Sequence, residues 1–207
     1  MVNVSLLMGR FQPFTKGHAL AVRNIMKDTN DTPIIGIVRG VKSSLDLNRN
    51  PFSEDDQRLM IKTALKGITD ENIIVIPSAY ILEPVLALQE KGMSIKTIYA
   101  GGKGDSDDRL SSYKAQLNRA KMPKDVNDPS KVQELIKDVY NLDITYKDTM
   151  INNKRLEATS GTGVRQALID NDYKSFEKGT GYNKDMFSKL RNTILEGKKA
   201  MLETKKR

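Results

Sequence analysis

The chain has 207 residues, with 34 Lys and Arg against 26 Asp and Glu for a formal charge of +8, and no cysteine. That length suits one domain with a sizeable core. The composition excludes disulfides and thiolate metal sites, and no apolar run approaches the roughly 18 residues that cross a bilayer. No basic flank opens the N-terminus, so no signal peptide is expected, and a cytoplasmic setting is. The charge is uneven: residues 184–207 hold eight Lys and Arg against three Asp and Glu. A solvated basic helix explains that segment. Nucleic acid is therefore not an expected partner, whereas a polyanionic substrate would gain from the field.

Along the chain, Val4–Met8 reads as a buried strand that runs into a loop at Gly9–His18. Helical spacing follows over 19–26, and Ile34–Val38 is a second buried strand. Ser53-Glu54-Asp55-Asp56 opens a helix like a capping box, with Leu59, Met60, Ile61 and Leu65 on its apolar side. Ile73–Pro77 is the third strand, Pro84–Lys91 a helix and Ile95–Ala100 the fourth strand. A polar stretch at 101–108 then begins an insertion over 101–141, expected to be partly helical with a helix at 131–140. Leu142–Tyr146 resembles a fifth strand. From Gly163 onward the pattern is helical, ending in a basic helix and tail over 183–207.

This alternation predicts an α/β fold: a Rossmann-like parallel sheet with helices on both faces, in one domain over 1–207. In such sheets ligands bind beyond the carboxyl ends of the strands, where strand order reverses.

The chain's one histidine, His18, lies at the strand-to-helix turn Thr15-Lys16-Gly17-His18. An isolated histidine is more often a satisfied core group. Here Gly17 suits a tight turn, the first helical amides are unpaired donors, and Thr15, Lys16 and Arg10 add a hydroxyl and charge. Together they make an anion site with His18 as a ring N–H donor. A second such site is Thr159-Ser160-Gly161-Thr162-Gly163-Val164-Arg165, where small hydroxyl residues open a helix and Arg165 follows one turn on. By itself it could equally be an ordinary N-cap with a surface arginine. No G-x-G-x-x-G opens a helix and no G-x-x-x-x-G-K-[ST] is present, which excludes a dehydrogenase-type binder and a P-loop kinase.

Together the two segments resemble the nucleotidyltransferase superfamily, whose signatures are (H/T)-x-G-H and (I/S)-S-G-T-x-x-R. The resemblance covers most of residues 3–100 and 155–200 and is strongest to archaeal-type nicotinamide-mononucleotide adenylyltransferases. Their G-R-F-Q-P-F-H-x-G-H is similar to Gly9–His18, with Thr15 for the first histidine, a swap that pantetheine-phosphate adenylyltransferases also make. Their N-P-F-[ST]-x-x-E-R is similar to the stretch from Asn50 to Arg58.

That resemblance implies transfer of AMP from ATP to nicotinamide mononucleotide, giving NAD and pyrophosphate without a covalent intermediate. It implies His18, Thr15 and Arg165 as catalytic residues. It implies Arg10, Phe11, Gln12, Lys16, Gly17, Arg49, Gly101, Gly102, Thr159, Ser160, Gly161 and Thr162 as the ATP- and phosphate-binding set. Mg²⁺ would arrive on the substrate, with no residue assigned to a metal. The archaeal enzymes stack an indole on the nicotinamide ring; this chain has no tryptophan, and Tyr80 is the expected substitute. The alternatives are a transferase of the same superfamily with another phosphorylated acceptor, or a non-catalytic nucleotide- or nucleic-acid-binding protein. A homo-oligomer is compatible with the sequence.

Overall fold

Five strands, β1 (Val2–Gly9), β2 (Thr32–Val38), β3 (Ile73–Ile76), β4 (Met93–Ala100) and β5 (Thr145–Asp148), form one parallel sheet in the order β3-β2-β1-β4-β5. The computed structural model describes residues 1–28, 30–40, 46–100, 109–120, 144–148 and 160–204. The helices are α1 (Lys16–Asp28), α2 (Glu54–Ala64), α3 (Leu82–Gln89), α4 (Arg109–Ala120), α5 (Gly161–Ile169), α6 (Tyr173–Thr180) and α7 (Lys184–Thr204), with a 3₁₀ turn at Asp70–Asn72.

Strand residues alternate between two apolar layers, which is why successive residues are apolar over Leu6–Met8 of β1, Ile34–Ile35 of β2 and Ile98–Ala100 of β4. Leu7, Ile35, Ile37, Ile73 and Tyr99 face α1, α2, α5, α6 and α7. Val4, Leu6, Met8, Ile34, Ile74, Ile76, Ile95 and Ile98 face α3 and α4, meeting Val85, Leu88, Tyr113 and Leu117. At the sheet's centre β1 pairs with β2 on one side and with the distant β4 on the other. The strand order reverses there, and the loop after β1 leaves from the crevice this opens.

The expected α/β architecture is present, with two local corrections. The fifth strand lies later than expected: its pairing runs from Thr97↔Thr145 to Ala100↔Asp148. Register against β4 decides its limits, and an edge strand can be polar. The first helix begins at Lys16, so Gly17 belongs to its first turn and not to a tight turn before it. The left-handed residue in that loop is Phe11, at φ 47. The helix expected over 131–140 lies outside the described residues, as do Gly101, Gly102 and Thr159. Among the described residues no helix is long and apolar enough to cross a membrane.

Candidate active site

The loop after β1 is built around two aromatic rings. A Cβ added at Gly9 would meet Phe11 Cε1 at 2.6 Å, so only glycine lets that ring lie across the strand end. Phe11 meets Phe14 edge-on at 5.2 Å between centroids and His18 at 5.0 Å, and Phe14 tilts against His18 at 5.5 Å. Both phenylalanines are buried. This packing offsets the cost of placing a bulky residue at positive φ.

Thr15 is also buried, and its backbone N–H donates to His18 Nδ1 at 3.0 Å. The Thr15 hydroxyl lies 3.1 Å from the same nitrogen. A backbone N–H can only donate, so Nδ1 is the bare nitrogen and the neutral ring carries its proton on Nε2. His18 therefore sits in the first turn of α1, at the positive end of that helix, as an oriented N–H donor.

The second segment docks directly onto the first. Ser160 caps α5, its hydroxyl accepting from the Gly163 N–H at 3.1 Å. Arg165 Nη1 donates to the Gln12 carbonyl, and Nη2 donates to the Thr162 hydroxyl at 3.2 Å. A Cβ added at Gly161 would sit 3.0 Å from the Gln12 oxygen, so glycine is what lets α5 approach so closely.

Around Arg165 the charge is one-sided. Burial lowers its pKa first; the Arg10 guanidinium lowers it further and Arg49 adds to this, while Asp46 opposes them. Arg49 itself leans on Asp46: its N–H donates to Oδ1 at 3.3 Å and its Nε lies 3.7 Å from Oδ2. Three guanidiniums thus gather near one carboxylate, an arrangement suited to an incoming polyanion. It is unsuited to a protein-held cation. Among the described residues no three His, Asp or Glu side chains group as metal ligands do.

The structure brings His18, Thr15, Lys16 and Gly17 together at the α1 N-terminus, and Ser160, Gly161, Thr162 and Arg165 at the α5 N-terminus, with Arg10 and Arg49 alongside. It gives two other predicted site residues a different task. Phe11 is a packing surface for His18. The Gln12 side chain spends both ends of its amide on Phe52, accepting from the Phe52 N–H and donating to the Phe52 carbonyl, each at 3.0 Å. The Ser160 hydroxyl is likewise used as a cap, which leaves the backbone amides of α5 as that segment's donors.

Arg58 also turns away, with Nε 2.8 Å from Glu54 Oε1 and Nη1 3.4 Å from both Asp70 Oδ1 and the Ile73 carbonyl. The capping box between Ser53 and Asp56 sets this register. The residue it turns toward the loop after β1 is Gln57, fully buried, whose amide donates to the Arg10 carbonyl and accepts from Arg39 Nη1. Tyr182 is another residue without a sequence signal. Its buried hydroxyl is 3.0 Å from the Phe14 carbonyl and 2.9 Å from that of Met60, and burial pushes its pKa well up. Tyr80 is exposed in the turn between β3 and α3.

Comparison with known proteins adds to this geometry. A family model described as cytidylyltransferase-like matches residues 6–167. A nicotinamide-nucleotide adenylyltransferase of Thermoplasma acidophilum is 38% identical over 73 residues, which are 35% of this chain and 39% of that protein. One from Picrophilus torridus is 34% identical over 73 residues, 35% and 41% of the two chains. The matched stretch is thus about two fifths of the length of these curated relatives.

Among solved structures, Thermotoga maritima TmcAL bound with alpha-thio ATP superposes with a TM-score of 0.54 at 12% identity, covering 95% of this chain and 56% of that one. Plasmodium falciparum nicotinic acid mononucleotide adenylyltransferase complexed with APC gives 0.51 at 14% identity, covering 95% and 96%. At such identities these two likenesses speak for the fold alone.

Proposed function

Because this chain belongs to the cytidylyltransferase-like family, we propose that it is an adenylyltransferase that moves AMP from ATP to nicotinamide mononucleotide, giving NAD and pyrophosphate. One observation carries the reading. Arg165 and Gly161 of the late motif close on the Gln12 carbonyl of the early one, which brings two helix N-terminal turns and their cations near enough to share one polyanion. The local identity to curated nicotinamide-nucleotide adenylyltransferases supports the acceptor.

In this reading the acceptor's phosphate attacks the α-phosphorus of ATP in line. The α–β bridging bond breaks and pyrophosphate leaves with the negative charge. The attacking phosphate is already an anion at neutral pH, so no general base is required. Catalysis reduces to positioning and charge stabilisation. His18 Nε2–H would donate to the phosphate oxygens as charge grows there, with Thr15 holding the ring. Arg165, Arg10 and the α5 amides would grip the departing pyrophosphate. Magnesium would travel with the triphosphate, because the cluster is cationic, and no step here runs through an ion held by the protein.

The test is pyrophosphate release from ATP and Mg²⁺ across a panel of phosphorylated acceptors. Release is expected with nicotinamide mononucleotide. Silence there with release on another mononucleotide would overturn the acceptor assignment, a real alternative for a chain without tryptophan. Silence with every acceptor would overturn the transferase.

A further inference from the structure

Arg10 and Arg165 carry like charges and come from distant segments, yet the hydrogen bond of Arg165 to the Gln12 carbonyl brings it onto the short loop that carries Arg10, and each guanidinium lies within the other's field. Their proximity has to be maintained by something other than their own interaction. Arg165 is tied to the Gln12 carbonyl, and the Gln12 amide is clasped by Phe52. The Arg10 carbonyl is tied to Gln57 Nε2. Gln57 is fully buried, on the second turn of α2.

The orientation of the Gln57 amide is determined by its partners. Arg39 can only donate, so Oε1 must face its Nη1, which leaves the NH₂ group for the Arg10 carbonyl. The same Arg39 Nη1 reaches the Phe52 carbonyl at 3.1 Å. Arg39 just after β2, the start of α2 and both sides of Gln12 thus form one part-buried polar network below the loop that carries Arg10.

We infer that Gln57, oriented by Arg39, is a positioning residue that anchors the backbone of Arg10 so that its guanidinium stays beside Arg165 for the triphosphate. The inference rests on the proposed function, since it presumes that this arginine pair binds the polyphosphate. Its energetic basis is ordinary: without the amide of the buried Gln57, the Arg10 carbonyl loses a partner inside a part-buried network. What distinguishes the role from simple core filling is that it acts through one partner, Arg10.

The experiment is a double-mutant cycle on the full chain, with calorimetric binding of inorganic pyrophosphate and of ATP beside steady-state kinetics. Gln57→Met keeps the volume and loses the tether. It should raise the pyrophosphate Kd and the KM for ATP by about tenfold, the size expected for one buried hydrogen bond, with a smaller change in kcat. In an Arg10→Gln background the same substitution should cost less than about twofold, because the tethered charge is gone. Equal losses in both backgrounds would make Gln57 a structural residue and overturn the inference, as would wild-type affinity in Gln57→Met.

If Gln57→Met does not fold, Gln57→Asn draws the amide back by one methylene. It should show a smaller loss of the same kind, again cancelled by Arg10→Gln, and a loss that persists there overturns the inference. A wild-type chain that binds neither pyrophosphate nor ATP would overturn the proposed function and this inference together. A wild-type chain that binds both, with variants that match it, overturns the inference alone.

Discussion

The two faces of the sheet solve different problems. The face under α3 and α4 is nearly all hydrocarbon, where Val4, Leu6, Met8, Ile34, Ile95 and Ile98 meet Val85 and Leu88. The face under α1, α2 and α5 to α7 is equally buried, but its carboxyl end interleaves Thr15, Gln12, Gln57 and Tyr182 among Phe11, Phe14 and Phe52. Hydrocarbon alone cannot hold an imidazole in one tautomer or keep arginines together, because it is non-directional. Directional hydrogen bonds can, at the cost of needing every buried partner satisfied. On the first face stability should change without activity; on the second, loss of a buried support should lower both, and loss of a side chain that meets only the ligand should lower activity alone.

The largest effect expected is on the apolar face. Leu6 is fully buried there, and Leu6→Ala should cost about 2–5 kcal/mol of stability by denaturant unfolding. The kinetics of the folded fraction should stay those of the parent. An equal fall in kcat would break the contrast between the faces. At the site the order reverses: His18→Ala should lower turnover by about 10²-fold or more, the usual cost of one transition-state donor, while leaving the fold intact. An equally active variant would remove His18 from the chemistry.

The same contrast decides what was legible in the amino-acid sequence. Four strands are legible because each contains a run of successive apolar residues, Ile73–Ile76 at one sheet edge included; β5 offers only Thr145-Tyr146-Lys147-Asp148, so its pairing with β4, and not its composition, sets its register. His18 and Arg165 were legible as parts of segments with familiar spacing. The resemblance alone puts Gln12 in the binding set, and its sequence neighbours Phe11 and Pro13 carry no sign of its pairing with the distant Phe52. Gln57 left a trace: a polar residue on the helix side that also carries Met60 and Ile61, buried with them. Tyr182 left none, because its partners lie 168 and 122 residues away.

Tyr182 gives a smaller and more discriminating test. Tyr182→Phe removes the hydroxyl that links the loop after β1 to α2, whose single proton is shared between the Phe14 and Met60 carbonyls. A loss of about 1–3 kcal/mol follows. Phe14 also packs on His18, so kcat should fall in the same variant. Loss of stability with unchanged kcat would show that the site does not depend on its buried support.

The smallest effect concerns a polar contact on the second face that serves no ligand. Asp28 ends α1 and takes Lys147 Nζ and, at 3.2 Å, the Tyr99 hydroxyl on one carboxylate oxygen. The Lys147 hydrogen bond first, and Tyr99 second, hold its carboxyl below the ordinary 3.8. A carboxyl depressed in the folded chain contributes stability that is fully present above its unfolded value and is lost as pH falls through the folded one. The Asp28 and Lys147 side chains are both well exposed, so solvent screens the gain. Asp28→Asn should therefore flatten the acid limb of the stability curve slightly and leave turnover at neutral pH unchanged. A change in kcat there would mean that coupling on this face extends beyond the carboxyl end of the sheet, and that the network below the loop that carries Arg10 is only its densest part.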